Sequence, residues 1–337
     1  MLTLDVLDSI ELASRPVGQL AVGSLLRANY RFPGTRTRIR IEGLDRLPSG
    51  GRVYIAMNHT DRYNYWPFQT ELWKRRDQFT ATWVKGKYYN SPVMSRFMVA
   101  TNNIPAPSRG YLIAVDATDV LGQAPPDALY RVLRDAHDQG QSFEEAFERA
   151  AQAGVGAEFR RMNETRRHML GLGYEPAHTN FLDAQRDLFF RMMDRFIRLN
   201  DDAFDLGLKI IVFPEGTRSR RLGTGRPGLA QMAVRTGATI VPVGCNGSDE
   251  AYPGNSPVSR GGSILYRVGE PLTPEGELAQ FQVDEAFRPF TSEADVHADT
   301  FAAVTDLVMQ RIEGLLDERY QTASDARPEV DGLGRFL

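Results

Sequence analysis

Residues 53–59 read VYIAMNH, and 209–219 read KIIVFPEGTRS. Each begins with a short, uninterrupted apolar run and ends in polar residues. Such runs are the mark of strands buried on both faces, as in parallel sheets covered by helices. Outward from 53–57, TRTRIRIE (35–42) alternates Arg36, Arg38 and Arg40 with Thr37, Ile39 and Ile41, a strand with one wet face. A helix is expected from Trp66 to Arg76 and a strand over 79–84. Another strand is expected at 239–244, after a helix at about 229–236 that stops at Gly237. Strands alternating with helices predict an α/β fold, a mostly parallel sheet flanked by helices.

Between Arg109 and Phe213 the character changes. FEEAFERAAQAG and FLDAQRDLFFRMMDRFIRL carry helical periodicity, so a helical insertion is expected at about 120–205, beside or over the sheet. One more amphipathic helix runs through Phe301, Val304, Val308, Ile312 and Leu315. Residues 1–34 hold two short amphipathic helices around Pro16, suited either to core packing or to a membrane surface. Residues 35–320 form the main domain, and 321–337 make a polar tail expected to be flexible.

Composition narrows the chemistry. The 337 residues are 42% hydrophobic, which excludes a disordered chain. Forty basic against forty-three acidic residues give a net charge of −3, so no global field draws nucleic acid. Cys245 is the one cysteine, excluding internal disulfides and cysteine-ligated metal, and fitting a reducing compartment. Neither a signal peptide nor a membrane span is expected, because charges and Pro16 interrupt the N-terminal apolar stretch. G-x-S-x-G and H-E-x-x-H do not occur. GTGRPG (223–228) imitates a dinucleotide fingerprint, but PEGTRSRRL separates it from its strand. A glycine-rich loop before a helix is the expected reading.

Two polar clusters remain, both at strand C-terminal ends, where ligands gather in open α/β sheets. The first holds His59, a residue whose ordinary pKa suits a general base, although a histidine in a polar loop would look the same by itself. The other four histidines, at 137, 168, 178 and 297, lack a partner pattern. The second cluster is Phe213 to Ser219, where glycine admits a close ligand and Arg218 can fork onto phosphate. Arg220 and Arg221 add positive charge, as they would in an ordinary surface turn.

NHTDRYN (58–64) and FPEGTRS (213–219) together resemble the glycerolipid acyltransferases of the lysophosphatidic acid acyltransferase type. RIEGLDRLPSGGRVYIAMNH (40–59), Asn103-Ile104-Pro105 through Ser108-Arg109, and Gly228 with Ile240-Val241-Pro242-Val243 are similar to other blocks of that family, in order. The gap between the second and third blocks is longer than usual. The resemblance implies transfer of an acyl group from acyl-CoA or acyl carrier protein to a hydroxyl of a lysophospholipid or glycerol phosphate. His59 would be the base. Arg109, Glu215, Gly216, Thr217, Arg218 and Ser219 would form the acceptor site, and no metal or organic cofactor is implied. A cytoplasmic protein, peripheral on the inner face of the membrane, follows from the lipid substrate. Tyr63, Tyr65, Trp66, Phe68 and Trp73 are the aromatic residues expected to favour that interface.

One departure stands out. The family pattern is H-x-x-x-x-D, and position 64 is asparagine. The partner of His59 is then Asn64, or Asp61 if the turn curls back. Capping the following helix is the expected role of Asp61. An aspartate at 64 would on this reading raise the rate. A non-catalytic lipid-binding protein, or an acyltransferase for an unusual acceptor, are the rival readings.

Overall fold

The computed structural model describes residues 1–284 and 286–322, so most of the polar tail lies outside the described residues. Among the described residues the nine strands are β1 (Thr37–Glu42), β2 (Val53–Met57), β3 (Thr80–Lys85), β4 (Asn103–Ala106), β5 (Arg167–Met169), β6 (Leu172–Tyr174), β7 (Lys209–Val212), β8 (Thr239–Asn246) and β9 (Gly262–Val268). Seven of them make one sheet in the order β1-β9-β8-β2-β7-β3-β4. Strands β4, β3, β7, β2 and β8 run parallel. β9 is antiparallel to β8 and parallel to β1, so the last two strands run the other way. The mostly parallel α/β sheet expected from the sequence is present.

Alternation along β2 assigns the two faces. Tyr54 and Ala56 point to one side with Ile210, Val212 and Ile104, where helices Arg109–Leu121, Phe181–Asp205 and Ala298–Glu313 cover them. Val53, Ile55 and Met57 point to the other with Ile211, Val241 and Tyr266, packed against Leu26 of helix Val17–Arg31 and Phe68 of helix Tyr65–Arg76. Both sides of β2 are thus dry, as an unbroken apolar run requires.

The insertion comprises helices Asp127–Asp138, Phe143–Gln152 and Gly156–Glu164, the β5–β6 hairpin, and the 25-residue helix Phe181–Asp205. That last helix lies directly on the sheet. Trp83 Nε1 donates to Asn200 Oδ1 at 2.8 Å, and the Trp83 and Phe196 rings meet edge-on at 4.9 Å. A bidentate Arg167–Asp116 pair, its side chains 5% and 1% exposed, joins the hairpin to helix Arg109–Leu121, and Gln185 donates to the same carboxylate.

The N-terminal residues belong to the core. Leu2, Leu7 and Ile10 are buried, and Arg195 donates to the carbonyls of Leu7 and Ile10. In GTGRPG, a side chain on Gly225 would overlap Thr305 and Met309 of helix Ala298–Glu313, and Gly228 opens the next helix. The loop is a packing device before a helix, as expected. Gly237, at φ 58°, ends that helix in the left-handed conformation.

Candidate active site

Five parallel strands end on one edge of the sheet, and the polar clusters collect there. His59 follows β2, Phe213–Ser219 follow β7, and Lys85 closes β3. Because β2 and β7 are neighbours, the two clusters lie side by side. Their loops are tied together by backbone. Ser219 N–H donates to the His59 carbonyl at 2.9 Å, and the His59 ring stacks on Phe213 at 4.0 Å.

Glu215 completes this seam. One carboxylate oxygen accepts the His59 N–H at 2.8 Å and the other accepts the Gly223 N–H at 2.7 Å. The side chain is 3% exposed, and burial pushes its carboxyl up to about 7 against the pull of those two N–H groups. Glu215 thus lies in the cluster where the sequence placed it, directly against His59. Its oxygens face two peptide groups and hold the loops in register. Gly216 adopts φ 68°, a left-handed turn closed by its N–H on the Phe213 carbonyl. Thr217 and Ser219 are half-buried beside it, and Arg218 is exposed.

The partner of His59 is Asn64. Its Oδ1 lies 3.3 Å from His59 Nδ1, and its Nδ2 donates to the Asn58 carbonyl at 2.7 Å. With the amide hydrogens directed at a carbonyl, the oxygen is left for the ring, so Nδ1 carries the hydrogen and Nε2 the lone pair. Burial pushes the His59 imidazolium down to about 3. The Asn64 hydrogen bond opposes this, and the cations of Arg218 and Lys85 add to it.

Asp61 corrects two expectations. Its carboxylate accepts the Tyr63 N–H at 2.8 Å and the Thr60 hydroxyl at 3.0 Å, closing a local turn, while the hydrogen-bond partner of the ring is Asn64. Nor does it cap the helix. Residues 61–64 are spent in the turn, the helix begins at Tyr65, and Asn64 occupies the N-cap without a capping bond.

Arg109 is not brought to this cluster. Its guanidinium is 3.6 Å from Asp138 and lies 4.8 Å over the Phe189 ring, both on insertion helices. The cations that bear on His59 are Arg218 and Lys85 instead. The strand expected at 79–84 stopped one residue short of Lys85, and no motif marked it. The aromatic set near the site is also mostly core. Tyr63, Tyr65 and Phe68 are buried, and Trp66 and Trp73 are half-buried.

Among the described residues no group of His, Cys, Asp and Glu is arranged to hold a metal ion, and no helix is long and apolar enough to cross a membrane.

A mostly parallel α/β sheet thus carries a histidine and an arginine-bearing loop side by side at one edge. A family model described as Acyltransferase matches residues 177–246, a span holding Phe213–Ser219 and β8 but not His59. That match supports the resemblance to the glycerolipid acyltransferases, and acyl transfer as the class of activity. The crystal structure of the 1-acyl-sn-glycerophosphate (LPA) acyltransferase PlsC from Thermotoga maritima is similar at 14% identity. It covers 88% of this chain and 79% of that chain, with a TM-score of 0.39. Among curated proteins nothing matches.

Proposed function

We propose that the protein moves a fatty acyl group from a thioester, acyl-CoA or acyl carrier protein, to a hydroxyl of a lysophospholipid or glycerol phosphate. The observation that carries this reading is the His59–Asn64 pair with Arg218 and Lys85 beside it. Nε2 of His59 takes the acceptor hydroxyl's proton as the oxygen attacks the thioester carbonyl. The tetrahedral adduct collapses, the C–S bond breaks, and the departing thiolate receives the proton from His59. Arg218 and Lys85 hold the acceptor phosphate and fix its hydroxyl near the ring. A panel of lysolipids and glycerol 3-phosphate, offered with both donor types and analysed by mass spectrometry, tests the reading. Absence of any acylated product overturns it.

Arg218→Ala should raise the acceptor KM by about 10- to 100-fold, because a charge-assisted phosphate contact contributes about 1.5–3 kcal/mol. The donor KM should hardly move. Equal effects on both substrates would make Arg218 a structural residue.

The same edge suits a membrane surface. β1 and β9 start where β2, β7 and β8 end, which brings Phe32 and Val258 to the site's edge. Val93 and Met94 reach it from the end of β3. These four side chains are 66%, 53%, 77% and 42% exposed, respectively. Exposed Arg31, Arg36, Arg96 and Arg260 rim them, a combination that attracts anionic lipid. These exposed apolar residues, rather than the buried aromatic set, then make the contact. Phe32→Asp with Val93→Asp should cut sedimentation with phosphatidylglycerol vesicles at least tenfold. Unchanged sedimentation would exclude this edge.

A further inference from the structure

The structure assigns Asn58, through its main-chain carbonyl, as the positioning residue that sets the Asn64 amide and with it the hydrogen on His59; we propose that the site is built for an amide at 64. The inference rests on reading His59 as the base. It begins from a clamp at the end of β2. Asn58 Nδ2 donates to the Cys245 carbonyl at 3.0 Å, and Asn58 Oδ1 accepts the Cys245 N–H at 2.7 Å. The side chain thus supplies one more rung between β2 and β8 after regular pairing stops at Met57 and Val243.

That rung immobilises the Asn58 peptide, whose carbonyl then accepts from Asn64 Nδ2 at 2.7 Å. The Asn64 main-chain carbonyl accepts from the Tyr266 hydroxyl at 2.6 Å, which fixes the backbone that carries the amide. Asn58 is 2% exposed and Asn64 0%, so no water competes for these groups. A flipped Asn64 amide would set carbonyl oxygen against carbonyl oxygen and aim its N–H groups at the ring. Only the observed orientation satisfies all the partners.

An aspartate at 64 cannot donate to Asn58 once ionised. Its carboxylate would face the Asn58 carbonyl oxygen at contact distance. A protonated aspartate, by contrast, copies the amide: its O–H donates to Asn58 and its C=O accepts from His59 Nδ1–H. The groups near position 64 are the His59 ring, the Cys245 thiol and the Tyr266 hydroxyl. Asp61 lies on the same turn, Tyr30 and Tyr252 lie beyond Tyr266, and Glu215 reaches His59 from the neighbouring loop. Arg218 and Lys85 are the cations nearest the ring. An added buried carboxyl there titrates above the ordinary carboxylate range.

The test uses the full chain labelled with ¹⁵N-histidine. In the wild type the His59 resonances should show hydrogen on Nδ1 and none on Nε2, unchanged from pH 5.5 to 8.5. Asn64→Asp should keep that tautomer at the acid end; as pH rises, the ionised carboxylate is repelled by the Asn58 carbonyl and turns from the ring, so the hydrogen on Nδ1 is lost and kcat falls at least tenfold over the same range. Asn58→Ala, which releases the clamp, should give a mixture of tautomers at every pH. If it does not fold, Asn64→Asp decides alone. Wild-type hydrogen on Nε2, or Asn64→Asp equal to or faster than wild type throughout, overturns the proposal. The tautomer is read without turnover, so a failure of the acyl-transfer reading is told apart from a failure of this one.

Discussion

His59→Ala should lower kcat by about 10²- to 10⁴-fold, the ordinary contribution of a positioned general base. The acceptor KM should change little, because the proposed phosphate contacts lie on Arg218 and Lys85. Thermal stability should hold, since the Glu215 and Ser219 bonds reach the peptide of residue 59 and not its ring. The pH profile adds a second check. A histidine at its ordinary pKa puts an acid limb near 6.5 on kcat/KM. With the imidazolium pushed down to about 3, the neutral base persists well below that value. The kcat/KM of the wild type should therefore stay level from pH 7 to 5, with no limb at 6.5. Full activity in His59→Ala would end the assignment of the base. A limb near 6.5 would mean that the ring is solvated during turnover.

The low value also indicates what asparagine does here. A carboxylate partner would stabilise the imidazolium that forms as the proton is taken. Asn64 fixes the tautomer without supplying a full charge, while Arg218 and Lys85 disfavour the cation further. Such a base is weak, and the proton it takes must pass quickly to the departing thiolate.

How much of this was legible in the sequence depends on the range of the signal. β2 and β7 announce themselves because both their faces are dry, which leaves no polar residue to confuse the period. β4 and β9 gave no such signal. β4 is four residues at the sheet's edge and contains Pro105, tolerated where one side of the strand is unpaired. The two polar clusters were found because each follows its strand directly in the chain. Their internal wiring was not. Glu215 reaches His59 across 156 positions, and Asn58 reaches Cys245 across 187. Spacing carries no information about bonds of that kind. Arg109 shows the complementary error. The family resemblance set it in the acceptor site, but Asp138 and Phe189 decide where its guanidinium goes.

Deleting about residues 127–200 should leave no folded protein. A helical insertion beside or over the sheet invites the opposite expectation, a cap whose removal spares the core and alters acceptor preference. Helix Phe181–Asp205 instead supplies part of one face of that core. Phe181, Leu188, Met192, Phe196 and Leu199 are all buried, and Asn200 accepts from the Tyr54 hydroxyl at 3.3 Å as well as from Trp83. Removing the segment would expose Tyr54, Trp83 and Ile210 on a sheet face that has no polar alternation to tolerate water. It would also leave Asp116 buried without Arg167, and breaking one side of a buried ion pair costs about 3–5 kcal/mol by itself. A graded version is available in Phe196→Ala, expected to cost about 3–5 kcal/mol as a large-to-small change in a packed core. Against a domain stability of about 5–15 kcal/mol, that single change should lower Tm visibly, while the deletion exceeds what the rest of the fold can offset. Calorimetry of the two variants decides the matter. The point variant should melt cooperatively at lower temperature, and the deletion should show no transition. A cooperative melt in the deletion would restore the view of the insertion as a separable cap.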